Sequence, residues 1–361
     1  MTIKAQSDVG IYSAEQGLPG SLLHWLNEHK SHDIFSDPQW YQALIEFKQQ
    51  HEAPLGIKFY WFFVLSNDSP VVAAPIEVKN NKIKFVANFY SPCSELFYDR
   101  ETLNVRQAWA LLLSHLTYLR PGWLSFEMFP LFPEQLSRFK AIALELPVTV
   151  FNYNFSANYC SDFKDFRTYW NSRSSRLRNT HRRRTKQARQ HQLEFQIHDV
   201  CTPELEADYW YIYQHSWKIQ EPSRCFIHWL MNWAGEHKIL KLGLLKIDGK
   251  PAAFQLWLVN GKCGSIFKLA QDKRFDALSP GTILMEHMVR QLSQNSGITK
   301  IDFLLGNDEF KALWMDDKVL VSGAEIINRS HVKGRLLSMM YTIKNWLKGM
   351  NRNTRNGDKY D

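Results

Sequence analysis

Cysteine is scarce and scattered in this chain of 361 residues: Cys93, Cys160, Cys201, Cys225 and Cys263 show neither Cys-x-x-Cys nor Cys/His ligand spacing. Their odd number and isolation speak against a disulfide framework or a structural zinc. His228, His237 and His287 have no neighbours at metal-ligand spacing either, so no metal is expected. No segment reaches the apolar length that crosses a bilayer. Residues 1–17 hold no uninterrupted apolar run after their lysine, so the expectation is no signal peptide and a cytoplasmic chain, at most at the inner face of the membrane. Gly-x-Ser-x-Gly and Walker signatures are missing, against serine-hydrolase and P-loop chemistry.

What is present describes a packed protein: 45% hydrophobic, 14% aromatic and 22% charged residues. The length exceeds one ordinary core and predicts two domains. A formal net charge of +8 favours an anionic partner, whether a phosphorylated cofactor, RNA or an acidic membrane.

Periodicity resolves the C-terminal half into a strand over Leu193–His198, helices over Pro203–Gln220 and Ser223–His237, and strands over Ile239–Ile247, Ala252–Val259 and Gly264–Ala270. Asp248-Gly249 and Asn260-Gly261 join these three strands, and such dipeptides tolerate positive φ in tight hairpins, so antiparallel pairing is predicted. A helix over Ser279–Ser296, a strand over Ile298–Leu304, a short helix over Asp308–Met315 and a strand over Val319–Asn328 complete a mixed α/β order. The N-terminal half repeats it: strands Phe59–Leu65, Val71–Val78 and Ile83–Phe89, helix Glu101–Tyr118, strand Trp123–Phe129, helix Pro133–Ala143 and strand Val148–Asn154. Pro75 interrupts its strand and suggests an edge or a bulge. The expected domains are 1–155 and 156–330, with 331–361 as an amphipathic helix and a disordered basic tail.

Ser279-Pro280-Gly281-Thr282 reads as a helix start. Ser279 suits the N-cap, Pro280 the first helical position, and Gly281 leaves room for a ligand at the amides of the first turn. Such an end attracts phosphate through unpaired N–H groups and the helix dipole. Lys273 and Arg274 lie just upstream and add charge. Ser-Pro-Gly is also a plain turn and cap. Its place after three antiparallel strands and before a helix–strand pair puts the helix end where strands must splay.

Several spaced runs carry a resemblance. Phe267-Lys268-Leu269-Ala270, Leu278-Ser279-Pro280-Gly281-Thr282-Ile283-Leu284, Gly297-Ile298, Ile301-Asp302-Phe303, Gly306 and Phe310-Lys311-Ala312-Leu313-Trp314 occur in that order. Together they resemble the GNAT-superfamily acetyltransferases of the CelD-like type, relatives of the FemAB transferases. The likeness is closest over about residues 160–328 and extends more loosely through Phe35-Ser36-Asp37-Pro38-Gln39-Trp40 and Val72-Ala73-Ala74-Pro75-Ile76. It implies tandem GNAT-like domains, each a mixed, largely antiparallel sheet flanked by helices, with acetyl-CoA or another acyl-CoA held by the second and no cofactor motif in the first. The usual GNAT phosphate loop, Gln/Arg-x-x-Gly-x-Gly/Ala, is not matched; the Ser-Pro-Gly turn stands in its place.

Acyl transfer needs a held thioester, an oxyanion donor and removal of a proton. The resemblance implies that the strand through Phe267 and Leu269 runs along the pantetheine arm, with Ser279, Pro280, Gly281, Thr282, Lys273 and Arg274 at the phosphates. Asp302, set mid-strand between Ile301 and Phe303, is expected to be buried with a raised pKa and to act as general base or to orient the acceptor. A structural aspartate that caps a turn or pairs with Lys268 or Lys311 is the other reading. Lys268 is a phosphate contact or that partner; Lys311 holds a phosphate or an acidic acceptor. Asp308 and Glu309 read as helix caps first.

From Arg167 to Leu193 there is no carboxylate, while Arg173, Arg176, Arg178, Arg182, Arg183, Arg184, Lys186 and Arg189 crowd together. A solvated face is the plain reading; an RNA contact, as in a FemAB-like enzyme using aminoacyl-tRNA, is the sharper one. Collection of CoA or of an anionic acceptor is a third. Leu336, Met340, Ile343, Leu347 and Met350 then recur at spacings of four, three, four and three, among Lys333, Arg335, Lys344 and Lys348. This amphipathic helix packs on its own domain or meets a membrane surface. The leading functional reading is acyl-CoA-dependent N-acylation of a sugar, peptide or cell-envelope or exopolysaccharide precursor. An aminoacyl-tRNA-dependent transferase and a non-catalytic envelope-associated module are the rivals.

Overall fold

The structure, a computed structural model, describes residues 4–6, 8–52 and 56–343. The chain falls into two compact units, 1–155 together with 320–361, and 156–319.

The first unit opens with β1 (Lys4–Gln6) and β2 (Val9–Ser13), then α1 (Gly20–His29) and α2 (Pro38–Glu52). Strands β3 (Lys58–Ser66), β4 (Ser69–Lys79), β5 (Lys82–Phe85) and β6 (Phe97–Tyr98) follow, then α3 (Val105–Leu119), β7 (Ser125–Leu131), α4 (Pro133–Ile142) and β8 (Val148–Asp162). Helices α1 and α2 add to the elements that periodicity predicts. On α2, Trp40, Tyr41, Leu44, Ile45 and Phe47 are buried, a broad apolar stripe at helical spacing. Pro75 is neither on an edge strand nor at a bulge. Strand β4 pairs with β3 on one side, and on the other with β6 at Val72–Ala73 and with β5 at Ile76–Lys79. Pro75 falls in the gap between those two ladders, where its missing N–H removes no bond.

The second unit contains α5 (Phe166–Ser172), α6 (Ser175–Ala188), β9 (Leu193–His198), α7 (Pro203–Gln214), α8 (Arg224–Glu236), β10 (Leu240–Ile247), β11 (Lys250–Asn260) and β12 (Cys263–Gln271). After these come α9 (Pro280–Asn295), β13 (Lys300–Leu305), α10 (Glu309–Trp314) and β14 (Asp317–Asn328). Strands β10, β11 and β12 are antiparallel neighbours, as the turn dipeptides predict; Asp248, Gly249 and Gly261 all take positive φ. The helix expected over Pro203–Gln220 stops at Gln214, so residues 215–222 form a loop that contributes Trp217 and Lys218 to a cavity.

The element order β-α-α-β-β-β-α-β-α-β occurs twice, from β2 to β8 and from β9 to β14, with only the short β6 added. The last strand of each repeat is exchanged. In the first unit β7 pairs antiparallel with β14, from Ser322↔Leu131 to Ile327↔Ser125. In the second, β13 pairs antiparallel with the end of β8, with Lys300↔Asp162 and Asp302↔Cys160. Each exchanged strand satisfies a row of backbone groups that would otherwise form an open edge. Residues from Leu320 onward thus belong with the first compact unit, and 156–319 form the second.

The core of the second unit is the face of β10–β12 covered by α9. Ile283, Leu284, Met288, Val289 and Leu292 are buried on that helix. Met288 lies directly on Gly243 of β10, where any Cβ would collide with its sulfur. This close approach seats α9 on the sheet and fixes where its N-terminus points.

Candidate active site

Parallel strands β12 and β13 pair at only three positions, Cys263↔Lys300, Gly264↔Ile301 and Ser265↔Asp302. Strand β12 continues to Gln271 and β13 to Leu305, so the two part beyond Ser265. The first turn of α9 faces this opening. A cavity of about 550 Å³ occupies it, walled by Phe254, Leu269, Phe303 and Phe310 and edged by Gln255, Gln271, Ser279, Gly281, Thr282, Asp308 and Lys311.

The entry to α9 differs from expectation in one respect. Ser279 takes a left-handed conformation (φ 51°, ψ 56°) and its side chain does not cap the helix. The reason lies upstream: Lys273–Leu278 is a short 3-10 helix, and Ser279 closes it by donating its amide to Asp276 O at 3.1 Å. That conformation turns its hydroxyl from the amides ahead. The cap comes from β12 instead, where Gln271 Oε1 accepts from Gly281 N at 2.9 Å while its Nε2 donates to Asp276 Oδ1 at 2.6 Å. A Cβ on Gly281 would lie 2.7 Å from that same oxygen. Gln255 reaches the other side of the turn, with Nε2 3.4 Å from Gly281 O and Oε1 accepting from Trp257 Nε1 at 2.9 Å. The helix end is thus closed by a single flexible amide side chain, and a ligand oxyanion can replace that oxygen with a charge-assisted bond.

The corresponding turn of the first repeat is sealed more firmly. Asn104 and Gln107 form a reciprocal capping box at the start of α3, at 3.0 and 2.9 Å, which occupies both the helix amide and the cap amide.

Strand β13 ends in strained backbone. Leu304 has φ 54°, a rare conformation for a bulky side chain, and the register with β8 shifts between Asp302 and Leu305. Asp302 holds this kink: Oδ1 accepts from Leu304 N at 2.7 Å and from Asn158 Nδ2 at 2.6 Å. Burial pushes its carboxyl up, with those two bonds opposing. The carboxyl is absent from the cavity lining, so of the two readings of Asp302 the geometry displays the turn-capping one.

Beyond the kink, Gly306 takes φ 139°, a backbone conformation that residues with a Cβ rarely adopt. Asp308 caps α10 by accepting from Lys311 N at 3.0 Å. The Lys311 side chain folds back so that Nζ donates to Phe303 O at 3.0 Å and Leu305 O at 2.7 Å. Burial brings its pKa down to about 8, and Lys218 works in the same direction. Lys218, across the cavity, is also lowered by burial first and by Lys268 second.

Of the residues expected at the site, Leu269, Ser279, Gly281, Thr282 and Lys311 line the cavity. Phe267, Lys268, Lys273, Arg274, Pro280 and Asp302 do not. Lys268 pairs with the buried Glu221 at 2.8 Å and not with Asp302. Arg274 is clamped by the buried Asp272 and donates to Tyr211 Oη at 2.7 Å, which braces the loop before Ser279. Pro280 is buried at the start of α9. Phe254, Gln255, Gln271, Trp217 and Lys218 were missed. Gln255 carried a signal, being the one polar side chain in the apolar run Ala252–Val259.

The basic stretch is helical over Ser175–Ala188, anchored by Leu177 and Ala188 as its sequence implies. Arg173 leaves the charged face, because it is buried against Asp316 and the Trp314 carbonyl. Arg176, Arg182, Arg183, Lys186 and Arg189 are exposed, while Arg184 donates to the Ala277 carbonyl beside the α9 entry. Among the described residues no group of three or more His, Cys, Asp or Glu is placed to hold a metal.

A mixed sheet parted after its third antiparallel strand, with a helix end set in the gap, gives the second unit a GNAT-like fold, and the first unit repeats its order of elements. The sequence profile described as Acetyltransferase (GNAT) domain matches residues 175–312, inside the second unit. No curated protein matches the sequence significantly. Among solved structures, FemX is similar at 11% identity and a TM-score of 0.57, over 87% of this chain and 97% of that one. L-PGS from Bacillus licheniformis is similar at 11% identity and a TM-score of 0.52, over 89% and 96%. A DUF2156 domain from Agrobacterium fabrum is similar at 12% identity and a TM-score of 0.52, again over 89% and 96%. At such identities the likeness is one of fold.

Proposed function

We propose that the chain is an acyltransferase of the CelD-like type that takes its acyl group from acetyl-CoA or a related acyl-CoA and delivers it to an amino group of a sugar, peptide or cell-envelope precursor. The observation that carries this reading is the parted β12–β13 pair with the first turn of α9 in the gap. Acyl-CoA suits the residues there: Gly281 presents no Cβ, Gln271 is a displaceable cap, and the aromatic and aliphatic walls fit a pantetheine arm. Bound, it would supply an activated thioester carbonyl.

The chain's own groups do the remainder. The Gly281 amide and the positive end of α9 hold phosphate oxygens. Lys311, rather than Asp302, receives the proton from the acceptor amine: it lines the cavity, its pKa of about 8 leaves a neutral fraction near neutral pH, and two carbonyls orient its lone pair. Asp302 acts as a positioning residue through the kink that sets the Phe303 and Leu305 carbonyls.

A thermal-shift series with acetyl-CoA, longer acyl-CoAs and bulk tRNA tests the donor. At 100 times a Kd near micromolar, a ligand that binds only the folded chain adds about 2.7 kcal/mol. Stabilisation by acyl-CoA and not by tRNA is the expected result. The reverse would favour the second reading, an aminoacyl-tRNA-dependent transferase, which rests on the exposed arginines of α6 and on Arg184 beside the start of α9. Its signature is steep salt dependence that flattens when Arg182 and Arg183 are neutralised. No response to either would leave a non-catalytic binding module.

A further inference from the structure

Residues 332–343 form a helix that is docked the wrong way round for a core helix. Its protein side is made of small or flat residues. Gly334 and Ser338 are buried, and Tyr341 stacks on Phe151 of β8 with ring centroids 4.3 Å apart. Gly334 sits so close to the Asn328 carbonyl that no Cβ could fit, so the contact is tight and no larger residue could replace it. Its large apolar side chains point outward instead: Val332, Leu336, Met339, Met340 and Ile343 are each between 51% and 69% exposed. At about 100° per residue these five fall within an arc of about 100°, roughly opposite Gly334, Ser338 and Tyr341. Lys333 and Arg335 are exposed and border the arc on its two sides. The apolar spacing continues in the sequence through Trp346, Leu347 and Met350.

We propose that this face docks on the surface of an anionic lipid bilayer. Helices that lie in the headgroup region show this arrangement, a wide apolar face flanked by cations, and polybasic neighbours add electrostatic attraction to acidic lipids. Charge decides between lipid and a second copy of the chain. From Arg329 to Asp361 the sequence carries eight Lys or Arg against two Asp, so two such faces brought together would repel, whereas anionic headgroups complement them. No described helix is long and apolar enough to cross a membrane, so the contact is peripheral. The docked helix would hold the chain at the surface where a lipid-linked acceptor resides, but the binding itself requires no catalytic activity.

The test is flotation of the intact chain with vesicles of phosphatidylcholine alone and with about one third phosphatidylglycerol, at low and high salt. The chain should float with the anionic vesicles only, and salt should release it. Leu336→Glu combined with Met340→Glu should lower the bound fraction at least about tenfold. Both positions are exposed, so folding and acyl-CoA binding should be unchanged. Lys333→Glu with Arg335→Glu should weaken binding while leaving the apolar face intact. Flotation that neither variant alters would overturn the proposal. So would failure of the intact chain to float, or an intact dimer that the Leu336→Glu, Met340→Glu variant converts to a monomer without any vesicle binding. These outcomes are read independently of acyl-CoA binding.

Discussion

Replacing Lys311 with methionine offers a quantitative check on the site, because the buried amine should leave a pH-dependent trace in stability. Its folded pKa of about 8 lies below the value of about 10.4 for a lysine in an unfolded chain. Between those values the unfolded chain binds a proton that the folded chain does not, so the native state gains stability as pH rises from about 8 to about 10.4. Below pH 8 both states are protonated and the full cost of burying the charge is present. A gap of about 2.4 units corresponds to at most about 3 kcal/mol. Partial solvent access at Lys311 lowers this to about 1–2 kcal/mol. Urea melts of the wild type and of Lys311→Met from pH 6.5 to 10.5 should show a difference that is flat below pH 8 and then climbs by that amount. Loss of the two bonds to Phe303 O and Leu305 O offsets the curves by a constant and does not affect their slope. In acyl transfer, an ascending limb near pH 8 should vanish with the amine. A stability difference that stays level across the range would refute the depressed pKa and the proton-acceptor role with it.

Gly281→Trp should weaken acyl-CoA binding at least about tenfold in calorimetry, since the indole bars a phosphate oxygen from the backbone amide of residue 281 and so costs a charge-assisted bond worth about 1.5–3 kcal/mol; undiminished affinity would move the phosphate site elsewhere. Gln271→Ala frees the Gly281 amide and should tighten binding about two- to tenfold, the worth of one neutral hydrogen bond. Weaker binding would show that Gln271 itself touches the ligand. Asp302→Ala should cost about 1–3 kcal/mol, because Asn158 and the Leu304 amide lose their acceptor, yet leave the limb near pH 8 in place. Disappearance of that limb would restore Asp302 as the base. Trp257→Ala should destabilise the chain by about 3–5 kcal/mol in a denaturant melt, given a ring with no exposed surface; a loss below about 1 kcal/mol would contradict its place in the core.

Much of the fold was legible because it rests on local rules. Asp248-Gly249 and Asn260-Gly261 specify tight hairpins through backbone energetics alone, and alternation along β10–β12 follows from burial of the sheet. Ser279-Pro280-Gly281 likewise marked a helix start at the right place. The cap was misread because the side chain that fills it, Gln271, comes from eight residues upstream on a neighbouring strand. Lys268 and Asp302 failed to meet for the same kind of reason: Glu221, on the loop after α7, takes the lysine, and Asn158 of β8 takes the aspartate.

What the sequence alone determined is the order of the main strands and helices from β3 onward, their pairing sense across short turns, and the apolar stripe near the C-terminus, since each depends on residues a few positions apart. Tertiary structure decided the exchange of β8 and β14, the partner of every buried charge at the site, and which face of helix 332–343 meets water. Those outcomes turn on which distant groups compete for one acceptor or one patch of surface, and spacing along a chain contains no measure of that competition.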